Sequence, residues 1–218
     1  MLTKQLADCV DAIALARVPK SWTVAPAGHQ LSWAAPSLAA WFDGLARRVA
    51  QLHAWVHQGR PSCFWLAGFK NPRGLLTAIK QEVVRAHAIE GWTLDNMALQ
   101  TQVTAFRDAQ QIRAPPKEGA YIGGLVLEGA GWNEADQSLT ESTPRELFVD
   151  FPVLFVTVAP KAHKRASGDL GPFGGFECAV FRTRARREQV LTVPLPTKVH
   201  RPAHWRLRSV ALLMQSDL

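Results

Sequence analysis

The residue types able to do chemistry are spread thinly through this chain. His53 and His57 are four apart on an expected helix, so their imidazoles share a face and could share a metal ion. No Glu or third ligand accompanies them in a metal-site pattern. They flank an apolar stripe and read as edge or surface histidines. His57 and Cys63 could be paired as base and nucleophile, but no neighbour activates or orients the thiol. A cysteine beside Phe64 and Trp65 reads as core. His200 and His204 flank Pro202 in a loop and offer at most one weak metal site. Paired carboxylates such as Glu141 and Glu146 sit in a polar loop and read as solvated.

Phosphate chemistry has no visible cradle either. A nucleotide-binding loop reads G-x-x-x-x-G-K-[ST], its amides wrapping the phosphates. Gly68 to Gly74 has the wrong spacing and lacks the lysine–hydroxyl pair, and Gly171-Pro172-Phe173-Gly174-Gly175 lacks them too. Both read as turns. We therefore assign no catalytic, cofactor-binding or metal-binding residue from sequence.

Composition sets the class. The chain has 218 residues, 47% of them apolar and 20% charged, which is enough for a real core and unlike a disordered chain. Of its 8 tryptophans, Trp22, Trp33, Trp41 and Trp55 fall in the first quarter, so much aromatic surface there needs cover. The net charge of +7 is a basic surface, or a face for an acidic partner or polyanion. The basic clusters are Lys161 to Arg165 and Arg182 to Arg187. Neither interleaves aromatics as a single-strand binder does, and no recognition-helix or zinc-finger pattern is present. Nucleic acid is not expected as a partner. Cys9, Cys63 and Cys178 are far apart, odd in number and without a C-x-x-C, which suits a reducing compartment. Asp8 and Asp11 argue against a mitochondrial presequence, and no signal-peptide core is visible. The apolar stretch from Phe151 to Pro160 is too short to span a bilayer, so we expect a soluble intracellular protein.

The elements follow from periodicity. Leu2, Leu6, Cys9, Val10 and Ile13 mark a first helix, closed by Val18-Pro19. Ser37 caps a second. Its stripe of Leu38, Trp41, Phe42, Leu45, Val49, Leu52, Trp55 and Val56 is wide enough to face a core, and Gly59 is placed to stop it. A third helix opens at Asn71-Pro72, with Asn71 as cap and Pro72 at the first helical position. It carries Leu75, Ile79, Val83 and Ala86 and ends near Ala88 to Gly91. From Met97 the period becomes two, through Leu99, Thr101 and Val103. Further strands are expected over Ala120 to Glu128, Pro152 to Val158, Phe176 to Arg182, Val190 to Leu195 and Leu207 to Met214. Helices first and strands second predict an α+β fold. Its parts are a helical subdomain over 1–111 and a six-stranded antiparallel, barrel-like subdomain over 112–218. The strand near 97–104 can belong to the barrel.

Seven blocks in order carry a family resemblance. They are Val18-Pro19-Lys20-Ser21-Trp22; Phe64-Trp65-Leu66-Ala67-Gly68-Phe69; Asn71-Pro72-Arg73-Gly74-Leu75-Leu76-Thr77-Ala78; and Glu118 to Leu125 with Glu128-Gly129-Ala130-Gly131-Trp132-Asn133. Pro144-Arg145-Glu146-Leu147-Phe148, Glu177 to Thr183, and His204-Trp205 with Val210 to Leu213 follow. Together they resemble the C-terminal domain of dynein heavy chains, with an axonemal flavour in the block from Pro196-Thr197 to His204-Trp205. The sequence departs from the family pattern at Lys70, normally aromatic, at Gly131 and Asn133, where the family has R-W-D, and at Ser209, normally Gly.

The resemblance implies a helical part followed by a six-stranded barrel-like part. It implies a domain that hydrolyses nothing itself, lies across one face of the AAA+ ring after the sixth module of the same polypeptide, and regulates the motor. Dynein complex and microtubules would be indirect partners, in the axoneme of a cilium or flagellum, without cofactor, nucleic acid or membrane. Met1 stands just before the family's first helix, in a domain normally found at the tail of a far longer polypeptide. Because loops carry interactions more often than strands, the candidate interface residues are Phe69, Lys70 and Arg73 in one turn and Gly131, Trp132 and Asn133 in another. The alternative is a free-standing polyanion-binding protein using the two basic clusters.

Overall fold

A computed structural model describes residues 2–19, 22, 35, 37–161 and 170–214. The chain divides between Gly59 and Arg60 into two compact units. The first contains helix α1 (Leu2–Leu15) and helix α2 (Leu38–Gln58). α1 stops before Val18-Pro19, at Ala16, whose φ of 48° leaves the helical region. Ser37 caps α2 as its position predicts, its Oγ accepting from Ala40 N at 3.2 Å, and Gly59 closes it.

The wide stripe of α2 is not a core face along its whole width. Trp41 is buried, packed by Trp22 at 4.9 Å and Phe42 at 5.4 Å between ring centroids. Phe42, Val49 and Val56, spaced seven apart along one line of the helix, are exposed, Val56 by 78%. Leu52 is exposed too. Periodicity shows that a helix has an apolar side, not how much of that side has a neighbour.

The second unit holds everything else. Short strand β1 (Phe64–Trp65) leads through a single 3-10 turn into helix α3 (Pro72–Ala86). Asn71 Oδ1 accepts from Gly74 N at 3.0 Å and Pro72 takes the first turn. That cap contributes about 1 kcal/mol. Burial contributes more: Leu75, Leu76, Ile79, Val83 and Val84 all face inward. At about 1.5–3 kcal/mol each, the face is worth on the order of 10 kcal/mol, as an upper bound. Val83 and Val84 meet Met97 of strand β2 (Met97–Val103) and Val158 of strand β8 (Leu154–Pro160).

The strands continue as β3 (Ala120–Gly123), β4 (Leu125–Glu128), β5 (Gly131–Asn133), β6 (Ser138–Thr140), β7 (Phe148–Phe151), β9 (Gly175–Phe181), β10 (Gln189–Pro196) and β11 (Ala211–Met214). One sheet has the order β1-β3-β8-β2, a second β10-β9-β11-β4-β7, and β5 and β6 form a hairpin. The expected six-stranded antiparallel barrel is therefore corrected. β1 pairs parallel with β3 and β11 parallel with β9, so both larger sheets are mixed, and among the described residues no barrel closes. The reason lies at two places. The expected strand over Ala120 to Glu128 is broken at Gly124, whose φ of +76° turns the backbone from one sheet to the other. A Cβ there would stand 2.9 Å from Trp65 Nε1 and closer still to Cδ1, so only glycine lets the indole lie over the corner. The other place is the gap between β2 and β10. There the Thr101 hydroxyl donates to Thr192 O at 3.5 Å, and the two strands belong to different sheets. The strand expected from Leu207 also begins later, because Pro202 opens a short helix, α4 (Pro202–Leu207).

Ser209, which stands where the resembled family has glycine, keeps the glycine-like backbone: its φ is 56°. The left-handed conformation costs a residue with a Cβ roughly 1–2 kcal/mol. At the far end of α3, His87 stacks on Trp92 at 4.3 Å between centroids. Its Nδ1 lies 2.8 Å from Glu90 Oε1 and its Nε2 2.8 Å from Glu118 Oε1. Two carboxylates, one at each ring nitrogen, require both nitrogens to donate, which is the imidazolium. The bond to Glu90, then the bond to Glu118, raises the His87 pKa above its ordinary value.

Three measurements check this account. Trp65→Ala lowers stability by about 3–5 kcal/mol in denaturant titration, because the indole is buried over a corner that cannot refill. An unchanged midpoint would show that the corner does not depend on it. Ser209→Gly raises stability by about 0.5–1 kcal/mol, since the relief of backbone strain exceeds the entropy glycine adds to the unfolded state. For His87, the raised folded-state pKa means its contribution is fully present below about pH 6.5 and fades as pH rises through the folded value. The stability difference between the parent protein and His87→Gln should shrink on that rise, and a ring titration by NMR with a midpoint at or below the ordinary value would refute it.

Candidate functional site

The first candidate turn is already committed inside the molecule. Phe69 packs edge-on against Phe64, 5.9 Å between centroids, and its amide donates to Leu66 O. Arg73 is exposed but crosses to β10, where Nε donates to Gln189 O at 2.9 Å and Nη2 to the same oxygen. That carbonyl sits at the irregular start of β10, where the register with β9 shifts. The exposed member at the tip is Lys70, where the resembled family has an aromatic ring.

The second candidate turn is a hairpin, not a free loop. β5 pairs with β6 through Gly131↔Thr140, Trp132↔Leu139 and Asn133↔Ser138. Asn133 Oδ1 accepts from Ala135 N at 3.0 Å and Asp136 N at 3.2 Å, and Nδ2 donates to Asp136 Oδ2 at 3.0 Å. This is how an Asx residue builds a turn from its own side chain. Trp132 is half-buried against Phe151, with centroids 4.9 Å apart. Gly131 is buried, and a Cβ there would meet Glu141 O at 2.8 Å, so the arginine that the resemblance leads one to expect has no room. Of the six candidates, the structure holds Phe69, Arg73, Gly131, Trp132 and Asn133 by internal contacts.

The arginine cluster behaves likewise. Glu128 Oε1 accepts from Arg184 Nε at 3.2 Å and Glu128 Oε2 from Arg186 Nη2 at 2.7 Å. Arg186 Nη1 donates to Ser209 O at 2.7 Å, and Arg182 reaches Glu188 at 3.4 Å. Arg184 also lies 5.2 Å over the Phe148 ring. Arg184 and Arg186 thus close the loop between β9 and β10 against β4 and the segment before β11, while Arg182 pairs within the loop itself. Most of the other basic cluster, after Lys161, lies outside the described residues.

The thiols of Cys63 and Cys178 are not activated. Burial pushes the Cys63 thiol up to about 12, and Cys178, buried at the centre of β9, is pushed up to about 12 as well. Each Sγ faces the next carbonyl along, at 3.9 Å. A thiol held protonated is a poor nucleophile. The stretch Gly171 to Gly174 is a turn, Gly174 N donating to Gly171 O at 3.0 Å.

Sequence reading offered His200 and His204 as a weak metal pair and read Glu141 as solvated; what it missed is that Glu141 joins the two histidines. His200 Nε2 lies 3.1 Å and His204 Nε2 2.8 Å from Glu141 Oε1, while Arg208 Nη1 lies 2.7 Å from Oε2. The two imidazoles stack with centroids 4.0 Å apart, and each meets the ring of fully buried Trp205, at 5.5 and 4.9 Å. Glu141 is far from the histidines in sequence. No local spacing announces it; the bridge Leu139↔Thr197 brings the two segments side by side. Among the described residues, no helix is long and apolar enough to cross a membrane.

Comparison with known proteins sets these features in a family. The chain is 38% identical over 218 residues to mouse dynein axonemal heavy chain 8, a match to 98% of this chain and 4% of that protein. It is 40% identical over 215 residues to mouse dynein axonemal heavy chain 5, again 98% of this chain and 4% of that protein. The gamma chain of the flagellar outer arm dynein of Chlamydomonas reinhardtii is 38% identical over 164 residues, 75% of this chain and 4% of that one. The chain therefore spans about 4% of the length of these relatives. The profile of the C-terminal domain of dynein heavy chains matches residues 1–214, and the chain belongs to that family.

Proposed function

We propose that this chain works as the non-catalytic C-terminal regulatory and interaction domain of an axonemal dynein heavy chain, docked in cis on the AAA+ ring of the motor. The observation that carries the reading is the family match along residues 1–214, with axonemal relatives at 38–40% identity. Its setting would be the axoneme of a cilium or flagellum, with the dynein complex as partner and microtubules reached indirectly. Its two parts would be the helical residues 1–111 and the strand-rich residues 112–218.

Candidate docking surfaces are read in each unit by itself from what is left exposed. Phe42, Val49 and Val56 form an apolar row on α2, a feature a monomer covers at a partner. Lys70 at the tip of its turn and the outer edge of Trp132 are the candidates among the loop residues. The internal bonds of Arg182, Arg184 and Arg186 weigh against the polyanion alternative, since those cations already have carboxylates. Surface charge alone would also make binding fall steeply with salt.

The isolated 218-residue protein should self-associate in light scattering, and co-expression with the upstream AAA+ modules should remove that self-association. Val49→Asp together with Val56→Asp should weaken association with those modules at least tenfold, the equivalent of about 1.4 kcal/mol. Added salt should leave association largely intact. The same protein titrated with Mg-ATP should give no saturable heat at micromolar concentration. A freely soluble monomer without affinity for the modules would sink the docking reading.

A further inference from the structure

We propose that Glu141, His200 and His204 form a binding site for a divalent transition-metal ion of the zinc class. The proposal stands on side-chain geometry and is independent of the dynein reading. Each of the three offers one ligand atom, and the three atoms lie within 4.8 Å of one another. Both Nε2 atoms converge on the single oxygen Oε1, at 3.1 and 2.8 Å. Ligand atoms about 2.0–2.1 Å from a tetrahedral zinc lie roughly 3.3 Å from each other. The two nitrogen–oxygen pairs are thus within about half an ångström of that spacing, and binding requires each Nε2 to present its lone pair, its proton moving to Nδ1 or to solvent.

The ligands are held in place before any ion arrives. His204 rides on α4, and His200 sits two residues before Pro202 opens that helix. Their stacked rings stand on Trp205, which is completely buried. Thr197, also fully buried, bridges to Leu139 and donates its hydroxyl to Gly174 O at 2.7 Å, which pins the approach to His200. Glu141 follows β6, whose pairing with β5 fixes the carboxylate's backbone. The side chains remain 37%, 35% and 41% exposed for His200, His204 and Glu141, so solvent can supply the remaining coordination positions.

Arg208 decides which cations fit. Its guanidinium holds Glu141 Oε2 at 2.7 Å, leaving Oε1 as the one carboxylate oxygen free to ligate. Hard ions such as calcium and magnesium depend on several charged oxygens and would gain little here. Ions that prefer imidazole nitrogen gain two good ligands and an orienting outer bond.

The test is calorimetric titration of the 218-residue protein with zinc chloride, with cobalt(II) as a coloured probe. One ion per molecule should bind, cobalt should give visible d–d bands, and zinc should displace it. Glu141→Gln, His200→Ala and His204→Ala should each weaken zinc at least about tenfold. These positions are partly exposed, and thermal melts will confirm folding; should one variant not fold, the other two carry the test. His53 and His57, with centroids 4.3 Å apart on α2, are the competing pair. The double variant His53→Ala, His57→Ala should therefore bind zinc as the parent does. Absence of saturable zinc binding overturns the proposal. So does binding that survives the Glu141, His200 and His204 variants, binding lost with the α2 pair, or magnesium bound as tightly as zinc.

Discussion

The second unit depends on one close approach, the indole of Trp65 lying over the backbone at Gly124. The segment from Ala120 to Glu128 serves two sheets, and it can do so only by turning sharply where a side chain would collide with that indole. The same constraint fixes β1, because Phe64 and Trp65 pair with Ile122 and Gly123 on the strand leading into the turn. From β1 the backbone enters α3 within a few residues, so placing Trp65 also places the helix. The helix then covers Met97 and Val158 with Val83 and Val84.

Charge in this unit is arranged mostly for internal use. Glu128 on β4 takes two arginines from the loop after β9, and Glu141 takes Arg208 together with two histidines. Each exposed pair adds little to stability alone. Their effect is positional: they tie the loop between β9 and β10, and the segment around α4, to strands from earlier in the sequence. A basic composition thus does not translate into a free basic face on the arginine loop. The apolar row on α2 is the opposite case, a patterned surface left exposed among the described residues.

Much was legible from sequence by itself, because it rests on neighbours along the backbone. The caps at Ser37 and Asn71, the proline at the start of α3, the change of period at Met97 and the inert cysteines each follow from a few adjacent residues. The family was legible for the same reason: its blocks are contiguous strings. Ser209 lies between the two. Sequence marks it as a departure, and the φ of 56° shows that the backbone kept its shape and the residue bears the strain.

Only tertiary structure decided the rest. Strand periodicity reports which residues alternate, not which strand lies alongside, so parallel pairing of β9 with β11 and the unclosed gap at β2 and β10 were beyond it. Helical periodicity reports a stripe on α2, not the cover that leaves Val49 and Val56 outside. Arg73 and Asn133 read as available loop residues until the carbonyl of Gln189 and the amides of Ala135 and Asp136 occupied them. The meeting of Glu141 with His200 and His204 is set by a backbone bridge between distant segments. A ligand set assembled across that separation has no signature in local spacing, because it is the folding of the strands, not the order of the residues, that brings the atoms together.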